Sequence, residues 1–148
     1  LDRARLLERD GVTATDDLEA AVRAADIVCT GTMSREPLVL GEWLRPGTHL
    51  DLIGGYLADM REVDDEAIRR ATVFVDARST TIEHTGDIAL PIAAGVITAG
   101  DVRGDFYDLE SGRYARTSDD EITIAKNGGG AHLDLMMASY IARAWRER

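Results

Sequence analysis

Cysteine and basic residues are scarce in this sequence, and long apolar runs are absent. A single cysteine, Cys29, excludes an internal disulfide and favours a reducing, cytoplasmic setting. The 17 Lys and Arg residues are outnumbered by 27 Asp and Glu, which gives a formal net charge of −10 and a pI near 4.7. Such a surface repels nucleic acid and anionic lipid, and no stretch is long enough to span a membrane. We therefore expect small-molecule or protein partners, with no nucleic acid and no membrane.

What is present is an ordinary globular composition with alternating strand and helix patterns. The 148 residues are 45% hydrophobic and 30% charged, which suffices for one domain with a core. Short apolar runs, typical of strands buried on both faces, alternate with segments of helical periodicity. The predicted strands are 27–30, 49–53 and 72–75. Helices are predicted at 2–8, from the capping residues 15–17 through 25, at 42–44, and from a capping residue at 64 or 65 to 71. This alternation predicts a doubly wound α/β fold in which these strands are parallel neighbours.

After Asp76 the pattern loosens. Residues 82–96 hold short apolar pieces, and 100–116 are predicted as loops with one short helix. Regular structure returns as a strand within 119–126, a glycine run at 128–130 and a helix over 131–145. One side of that helix carries Leu133, Met136, Met137, Tyr140, Ile141 and Ala144. We expect this side to make a homodimer contact or to remain an exposed apolar patch.

The stretch 48–65 carries the clearest indication of a ligand site. An apolar strand runs into Gly54 and Gly55, and a loop then leads to a helix. In an open α/β sheet, ligands bind in the crevice beyond the carboxyl ends of the strands, where backbone amides converge. Glycines at such a strand end let the backbone approach a ligand closely. The sequence therefore predicts a strand-end binding site here.

Several short motifs occur in order along the chain. They are ADIVCTGT at 25–32, WLRPGTH at 43–49, IGG at 53–55, MRE at 60–62, VDAR at 75–78, GDI at 86–88 and TSDDEIT at 117–123. In this order they resemble the ornithine cyclodeaminase and mu-crystallin family of nicotinamide-dependent proteins. The resemblance implies that residues 1–118 are part of a Rossmann-like dinucleotide-binding domain. It implies that 119–148 form a strand, a glycine loop and a helix that return to a substrate and dimerisation domain.

The resemblance further implies that this chain is a C-terminal half. The first βαβ unit of the family, with its glycine-rich phosphate loop, is then expected to precede Leu1. The implied cofactor is NAD or NADP, with the preference open and with weak binding expected for this chain alone. The implied substrate is a small amino or imino acid.

The resemblance also implies a set of site residues. These are Thr32, Ile53, Gly54, Gly55 and Asn127 for the cofactor, and Tyr56 and Gly128 for the substrate. At the Asn127 position the family more often has serine. Structural explanations stay open beside these roles, because a threonine can close a strand, a glycine pair can form a tight turn and a glycine run can be a connector.

At Tyr56 the sequence departs from the pattern of the family, and this difference matters most for the chemistry. Family members that deaminate ornithine, and the related alanine dehydrogenases, carry an aspartate here that works on the substrate amine. A phenol is a poor base at neutral pH, although it can donate a proton or a hydrogen bond. The loop 56–62 is more similar to the branch of reductases that act on pyrroline-2-carboxylate and piperideine-2-carboxylate. We expect Tyr56 to face the substrate, as an aromatic wall in preference to a catalytic acid.

The remaining polar residues are weaker candidates. The three histidines lack metal-ligand spacing to one another or to Cys29, so no metal site is predicted. The acidic run 119–121 is interpreted as a solvated, capping charge run. Cys29 is predicted to be a buried, inert thiol in an apolar strand.

Two classes of function stay open at this point. One is an enzyme that reduces a cyclic imino acid, with ornithine-type cyclodeamination as the alternative chemistry. The other is a non-catalytic role, either as a mu-crystallin-like binding protein or as a chain that folds or oligomerises without turnover. Because the implied phosphate loop lies outside the sequence, turnover by this chain alone is expected to be undetectable.

Overall fold

A computed structural model describes residues 2–9 and 11–147 of the chain. Its centre is a four-stranded, wholly parallel sheet with the order β1-β2-β4-β3. The strands are β1 (Ile27–Thr30), β2 (His49–Leu52), β3 (Thr72–Val75) and β4 (Thr123–Lys126). The helices are α1 (Asp2–Arg5), α2 (Leu18–Ala24), α3 (Asp65–Arg70), α4 (Arg78–Thr81), α5 (Gly86–Ala93) and α6 (Ala131–Arg146). Short 3₁₀ turns lie at Gly41–Trp43, Ala99–Asp101 and Phe106–Asp108.

The predicted α/β fold and the parallel direction of the strands are confirmed, but the expected adjacency is only partly right. β1 and β2 are neighbours, whereas β4 lies between β2 and β3. Ile124 pairs with Leu50 on one side and with Val73 on the other, and it is fully buried. The last strand of the chain therefore returns to a central position. A local apolar pattern predicts which segments are strands, but it does not predict the order of the strands in the sheet.

The two faces of the sheet differ in how far other parts of the chain bury them. One face packs the core, where Leu50, Leu52, Val75 and Ile124 are fully buried. On the other face Ile27 is 68% exposed, and Cys29 is exposed as well. The expectation that β1 is buried on both faces is wrong, because β1 is an edge strand with one uncovered face.

Cys29 is likewise not the buried thiol that its apolar neighbours suggest. Its sulfur lies 3.7 Å from Asp51 Oδ2 on the next strand. Partial desolvation and the Asp51 carboxylate raise the pKa of the Cys29 thiol. A raised thiol pKa disfavours the reactive thiolate, so the expectation of low reactivity has a different physical basis.

Helix starts follow the predicted capping residues. Asp17 accepts a hydrogen bond from the Ala20 amide (2.9 Å) and begins α2, and Asp64 accepts one from the Ala67 amide (2.8 Å) and begins α3. Two helices beyond β3 escaped prediction. α4 has four residues, and α5 contains Pro91, which breaks helical patterns in most contexts.

The last helix runs over Ala131–Arg146, close to the predicted 131–145. None of its described residues is buried. Its apolar side is exposed, with Met136, Met137, Tyr140 and Ile141 all more than half accessible. This matches the expected exposed patch. Among the described residues, no helix is both long and apolar enough to cross a membrane.

Candidate functional site

Backbone hydrogen bonds bring the ends of β1 and β2 together at the carboxyl edge of the sheet. The amides of Ile53 and Gly54 both donate to the Thr30 carbonyl, at 2.9 Å and 3.3 Å. The Gly55 amide donates to the Thr32 carbonyl at 3.1 Å. The structure therefore places four of the predicted cofactor residues, Thr32 and 53–55, in one continuous backbone arrangement.

Packing within the protein accounts for both glycines of this segment. A Cβ at Gly54 would overlap the Thr32 backbone and the Glu62 carboxylate. Gly55 has φ of +59°, and a Cβ there would lie 2.7 Å from Asp87 Oδ2. A side chain at either position would force neighbouring atoms to move. The glycines thus allow the loop to fold tightly onto a polar interior.

Thr32 contributes its backbone to this arrangement. Its amide donates to Glu62 Oε1 at 2.6 Å, and its hydroxyl accepts a hydrogen bond from the Ser34 amide at 3.3 Å. The hydroxyl contact is the local kind that closes strands and turns. Both explanations of Thr32, strand closure and contact with a ligand, are compatible with its half-buried position.

Asn127 and Gly128 follow β4 at the same edge. The Asn127 amide donates to the Leu52 carbonyl at 3.0 Å, and its side-chain Oδ1 accepts from the Gly129 amide at 2.7 Å. Gly128 lies against Thr81, whose hydroxyl a Cβ would overlap. Asn127 therefore lies beside β2 with its side-chain oxygen shaping the glycine run.

Tyr56 is 54% exposed and directly follows Gly55. The same loop contains two acidic residues, and both are engaged elsewhere. Asp59 pairs with Arg35 at 2.8 Å, and that hydrogen bond lowers the pKa of Asp59. Glu62 is fully buried and its carboxylate faces the protein interior. Asp59 is itself exposed, at 63%, but it is paired with Arg35 on the surface. The exposed side chain that directly follows the glycine pair is therefore a phenol.

A network of three buried charged residues lies beneath this edge, and it was not predicted from the sequence. Glu62, Asp87 and Lys126 are 0%, 0% and 1% exposed. The Glu62 carboxylate accepts from the Thr30 hydroxyl at 2.7 Å, in addition to the Thr32 amide. Asp87 Oδ1 accepts from the Glu62 amide at 2.6 Å. Charged groups this deeply buried require partners. The Glu62 carboxylate has them in Thr30 and Thr32, and the Asp87 carboxylate has one in the Glu62 backbone amide.

Lys126 completes the network. Its ammonium donates to the Gly54 carbonyl and lies 3.1 Å from Asp87 Oδ2. Burial raises the pKa of Asp87, and the nearby Lys126 ammonium opposes that shift. One signal in the sequence points to this residue, because Lys126 is the single lysine among 16 arginines. A lysine ammonium is a compact point charge on a flexible stem, whereas the guanidinium of arginine is a planar fork, so the two are not interchangeable at this position.

The histidines do not converge. His49 is the first residue of β2, and its Nδ1 lies 2.8 Å from the hydroxyl of Thr123, the first residue of β4. Burial lowers the pKa of the His49 imidazole. His84 is exposed in the loop before α5. His132 Nε2 lies 3.7 Å from Asp76 Oδ2, a buried oxygen just after β3. Among the residues that the structure describes, no group of three or more His, Cys, Asp or Glu could hold a metal ion.

The carboxyl edge also presents an apolar surface. Met33, Ile53, Tyr56 and Leu57 expose large parts of their side chains there. Such a surface fits a flat, largely apolar ring such as nicotinamide. The 148 residues contain no G-x-G-x-x-G phosphate loop, so this fit concerns the nicotinamide half of a dinucleotide.

The fold is that of a Rossmann-type α/β unit, and its candidate ligand site lies at the carboxyl edge of the sheet. The sequence profile of the ornithine cyclodeaminase/mu-crystallin family matches residues 3–148. The chain belongs to this family, which confirms the resemblance of its motifs.

Known relatives are considerably longer than this chain. A delta(1)-pyrroline-2-carboxylate reductase of Paracoccus denitrificans is 61% identical over 133 residues, which cover 89% of this chain and 42% of the relative. The chain therefore spans less than half the length of that curated relative.

Two solved structures share the fold. One is the delta(1)-pyrroline-2-carboxylate reductase of Thermococcus litoralis with NADH and L-proline, with a TM-score of 0.71 and 34% identity. That match covers 75% of this chain and 35% of the other. The second is an archaeal alanine dehydrogenase dimer with bound NAD, with a TM-score of 0.77 and 34% identity over 88% of this chain and 41% of the other.

Proposed function

We propose that this chain is part of an NAD(P)H-dependent reductase of a cyclic imino acid of the pyrroline-2-carboxylate type. The observation that carries the proposal is the exposed phenol of Tyr56 directly after the glycine pair, where a carboxylate would be needed to act on an amine. Of the two acids in the loop, Glu62 is fully buried and Asp59 is exposed in a surface ion pair with Arg35. Removing ammonia from an amine requires a base, whereas reducing an imine requires a protonated or cationic nitrogen. The 61% identical reductase of Paracoccus denitrificans supports the same chemistry.

The reduced nicotinamide would supply the hydride that the imine carbon accepts. The residues of this chain would position and shield the reactants. Thr32, Ile53, Gly54, Gly55 and Asn127 form the proposed nicotinamide seat. Tyr56 would pack against the substrate ring, with its hydroxyl able to donate a hydrogen bond, and Gly128 would lie close to the substrate. This arrangement orients the ring and keeps water away from it.

Assembly and cofactor choice extend the proposal. Because the 148 residues contain no G-x-G-x-x-G phosphate loop, binding of NADH or NADPH by the chain alone should be weak, and the choice between the two stays open. The exposed apolar side of α6 is proposed to contact a second copy, in keeping with the dimeric alanine dehydrogenase neighbour. A cytoplasmic location and the domain division at 118/119 stay predictions.

The direct test uses the full-length protein. Pyrroline-2-carboxylate with NADH or NADPH is compared with ornithine and NAD, with absorbance and ammonia recorded together. We expect imine reduction to exceed ammonia release. Ammonia release at an equal or higher rate would favour the cyclodeaminase alternative, and binding without either reaction would favour a non-catalytic role.

Tyr56 variants test the role of the phenol. Tyr56→Asp should lower kcat/KM for imine reduction by about tenfold or more, since it replaces an aromatic surface with a charge. Tyr56→Phe separates the ring from the hydroxyl, and near-normal activity would indicate a packing role. Tyr107→Asp is a matched control, because Tyr107 is highly exposed in the 3₁₀ turn Phe106–Asp108.

A further inference from the structure

We propose that Glu62, Asp87 and Lys126 form a positioning network that holds Thr32 and the Gly54–Gly55 segment in the conformation that receives the nicotinamide. This inference rests on the proposed function for the identity of the ligand. The geometry of the network itself stands on contacts within the chain.

The three residues come from three separate parts of the fold. Glu62 lies in the loop before α3, Asp87 is in the first turn of α5, and Lys126 ends the central strand β4. Their side chains converge beneath one short piece of backbone. Lys126 contacts the Gly54 carbonyl, and Glu62 receives the Thr32 amide. The conformation of the segment therefore depends on all three elements at once.

Contacts among the three make them a single unit. Asp87 receives the amides of Glu62 and Val63 through Oδ1, at 2.6 Å and 3.3 Å, while Oδ2 pairs with Lys126 at 3.1 Å. A shift of Asp87 would thus move the backbone that carries the Glu62 carboxylate, and it would also move the ammonium that contacts Gly54. Networks of this kind act together more strongly than their separate pairs.

A purely stabilising role would be filled at least as well by apolar side chains. Replacing buried ion pairs with well-packed apolar residues is often neutral or stabilising, because burial of charge carries a desolvation cost. Here each charged group instead bonds a specific backbone atom of the candidate seat or of the network beneath it. The ammonium fixes the direction of the Gly54 carbonyl, and the neighbouring amides of Ile53 and Gly54 are tied to Thr30.

The test compares Lys126→Met with the double variant D87N/K126M in the full-length protein. The single variant leaves Asp87 without its cation, so both the melting temperature and the affinity for NADH should fall. The double variant removes that unpaired charge, so the melting temperature should largely recover. Its Kd for NADH should stay raised by about tenfold, because Gly54 still lacks its donor and small misplacements are costly.

Ile68→Ala is the matched control for lost stability. Ile68 is a buried core residue of α3, and its truncation should lower the melting temperature with less than about a twofold change in Kd. The proposal is overturned if the double variant recovers affinity together with melting temperature. It is equally overturned if Ile68→Ala weakens NADH binding as much as the network variants do.

Hydrogen exchange measured by mass spectrometry separates this inference from the proposed function. Without cofactor, the amides of 53–57 should exchange faster in both network variants than in the wild type, and at the wild-type rate in Ile68→Ala. Each protein is measured at the same number of degrees below its own melting temperature. Unchanged exchange in the network variants would refute the positioning role whatever the protein binds. If the wild type binds neither NADH nor NADPH, the proposed function fails while the exchange result still decides the role of the network.

Discussion

The carboxyl edge of the sheet and the last helix distribute polar and apolar groups in opposite ways. At the edge, Glu62, Asp87 and Lys126 are charged and fully buried. Along α6, apolar side chains such as Met136 and Tyr140 are more than half exposed. Each arrangement is unfavourable for an isolated side chain, since burial favours apolar groups and water favours charges.

The difference lies in how each region is compensated. Every charged group of the edge network contacts a backbone atom or an opposite charge within the chain. In α6, by contrast, no described residue is buried by the rest of the chain. The edge is therefore held by internal contacts and should be sensitive to substitution. Contacts with the rest of the described chain contribute little to the stability of α6, so substitutions on its surface should change stability little.

Removing the ammonium from the edge should have the largest effect on stability. Lys126→Met leaves the Asp87 carboxylate buried without its cation, which costs about 3–5 kcal/mol. Urea unfolding measures the loss, and D87N/K126M should recover much of it. A loss below about 1 kcal/mol for Lys126→Met would show that the edge relaxes and admits water.

Adding a methyl group to the same edge should have the next largest effect. Gly54→Ala would force the Thr32 backbone and Glu62 apart, at a cost of about 2–3 kcal/mol. Gly31→Ala is the matched control, because a Cβ there meets nothing within 4 Å, and its effect should stay within about 0.5 kcal/mol. Equal unfolding midpoints for the two variants would contradict a tightly packed edge.

Glu121 offers a partly buried carboxylate outside the edge network. Hydrogen bonds from the Thr117 amide and the Thr72 hydroxyl, with Arg103 at 3.3 Å, lower its pKa to about 2. A lowered pKa contributes stability that is present above the unfolded value near 4.5 and is lost as the pH falls towards 2.

Glu121→Gln should therefore cost about 1–2 kcal/mol at pH 7, and less as the pH falls below about 4.5. Urea unfolding of both proteins between pH 7 and pH 3 measures the difference. Asp120→Asn is a nearby control on an exposed residue and should show little pH-dependent difference. A Glu121→Gln deficit that stays constant over this range would indicate lost packing instead of lost charge.

Local sequence patterns predicted much of the fold because local physics decides strand and helix identity. Asp17 and Asp64 begin helices through their own side chains, and the glycine pair at 54–55 lies at the expected strand end. Strand order escaped prediction, since the central place of β4 depends on pairing between residues as distant in the chain as His49 and Thr123. The three-residue network escaped for the same reason, although the single lysine was a visible signal.

Substitutions on α6 should have the smallest effect on stability and so give the sharpest contrast with the edge. Met137→Gln and Tyr140→Gln in the 148-residue chain should change the free energy of unfolding by less than about 0.5 kcal/mol each, because neither side chain is buried. Light scattering should instead report weaker self-association, since the apolar patch becomes smaller. Ser139→Gln adds the same side chain at an exposed position elsewhere on α6 and serves as the reference. A stability loss comparable to that of Lys126→Met, in a chain that stays monomeric, would mean that α6 packs against the rest of the chain after all.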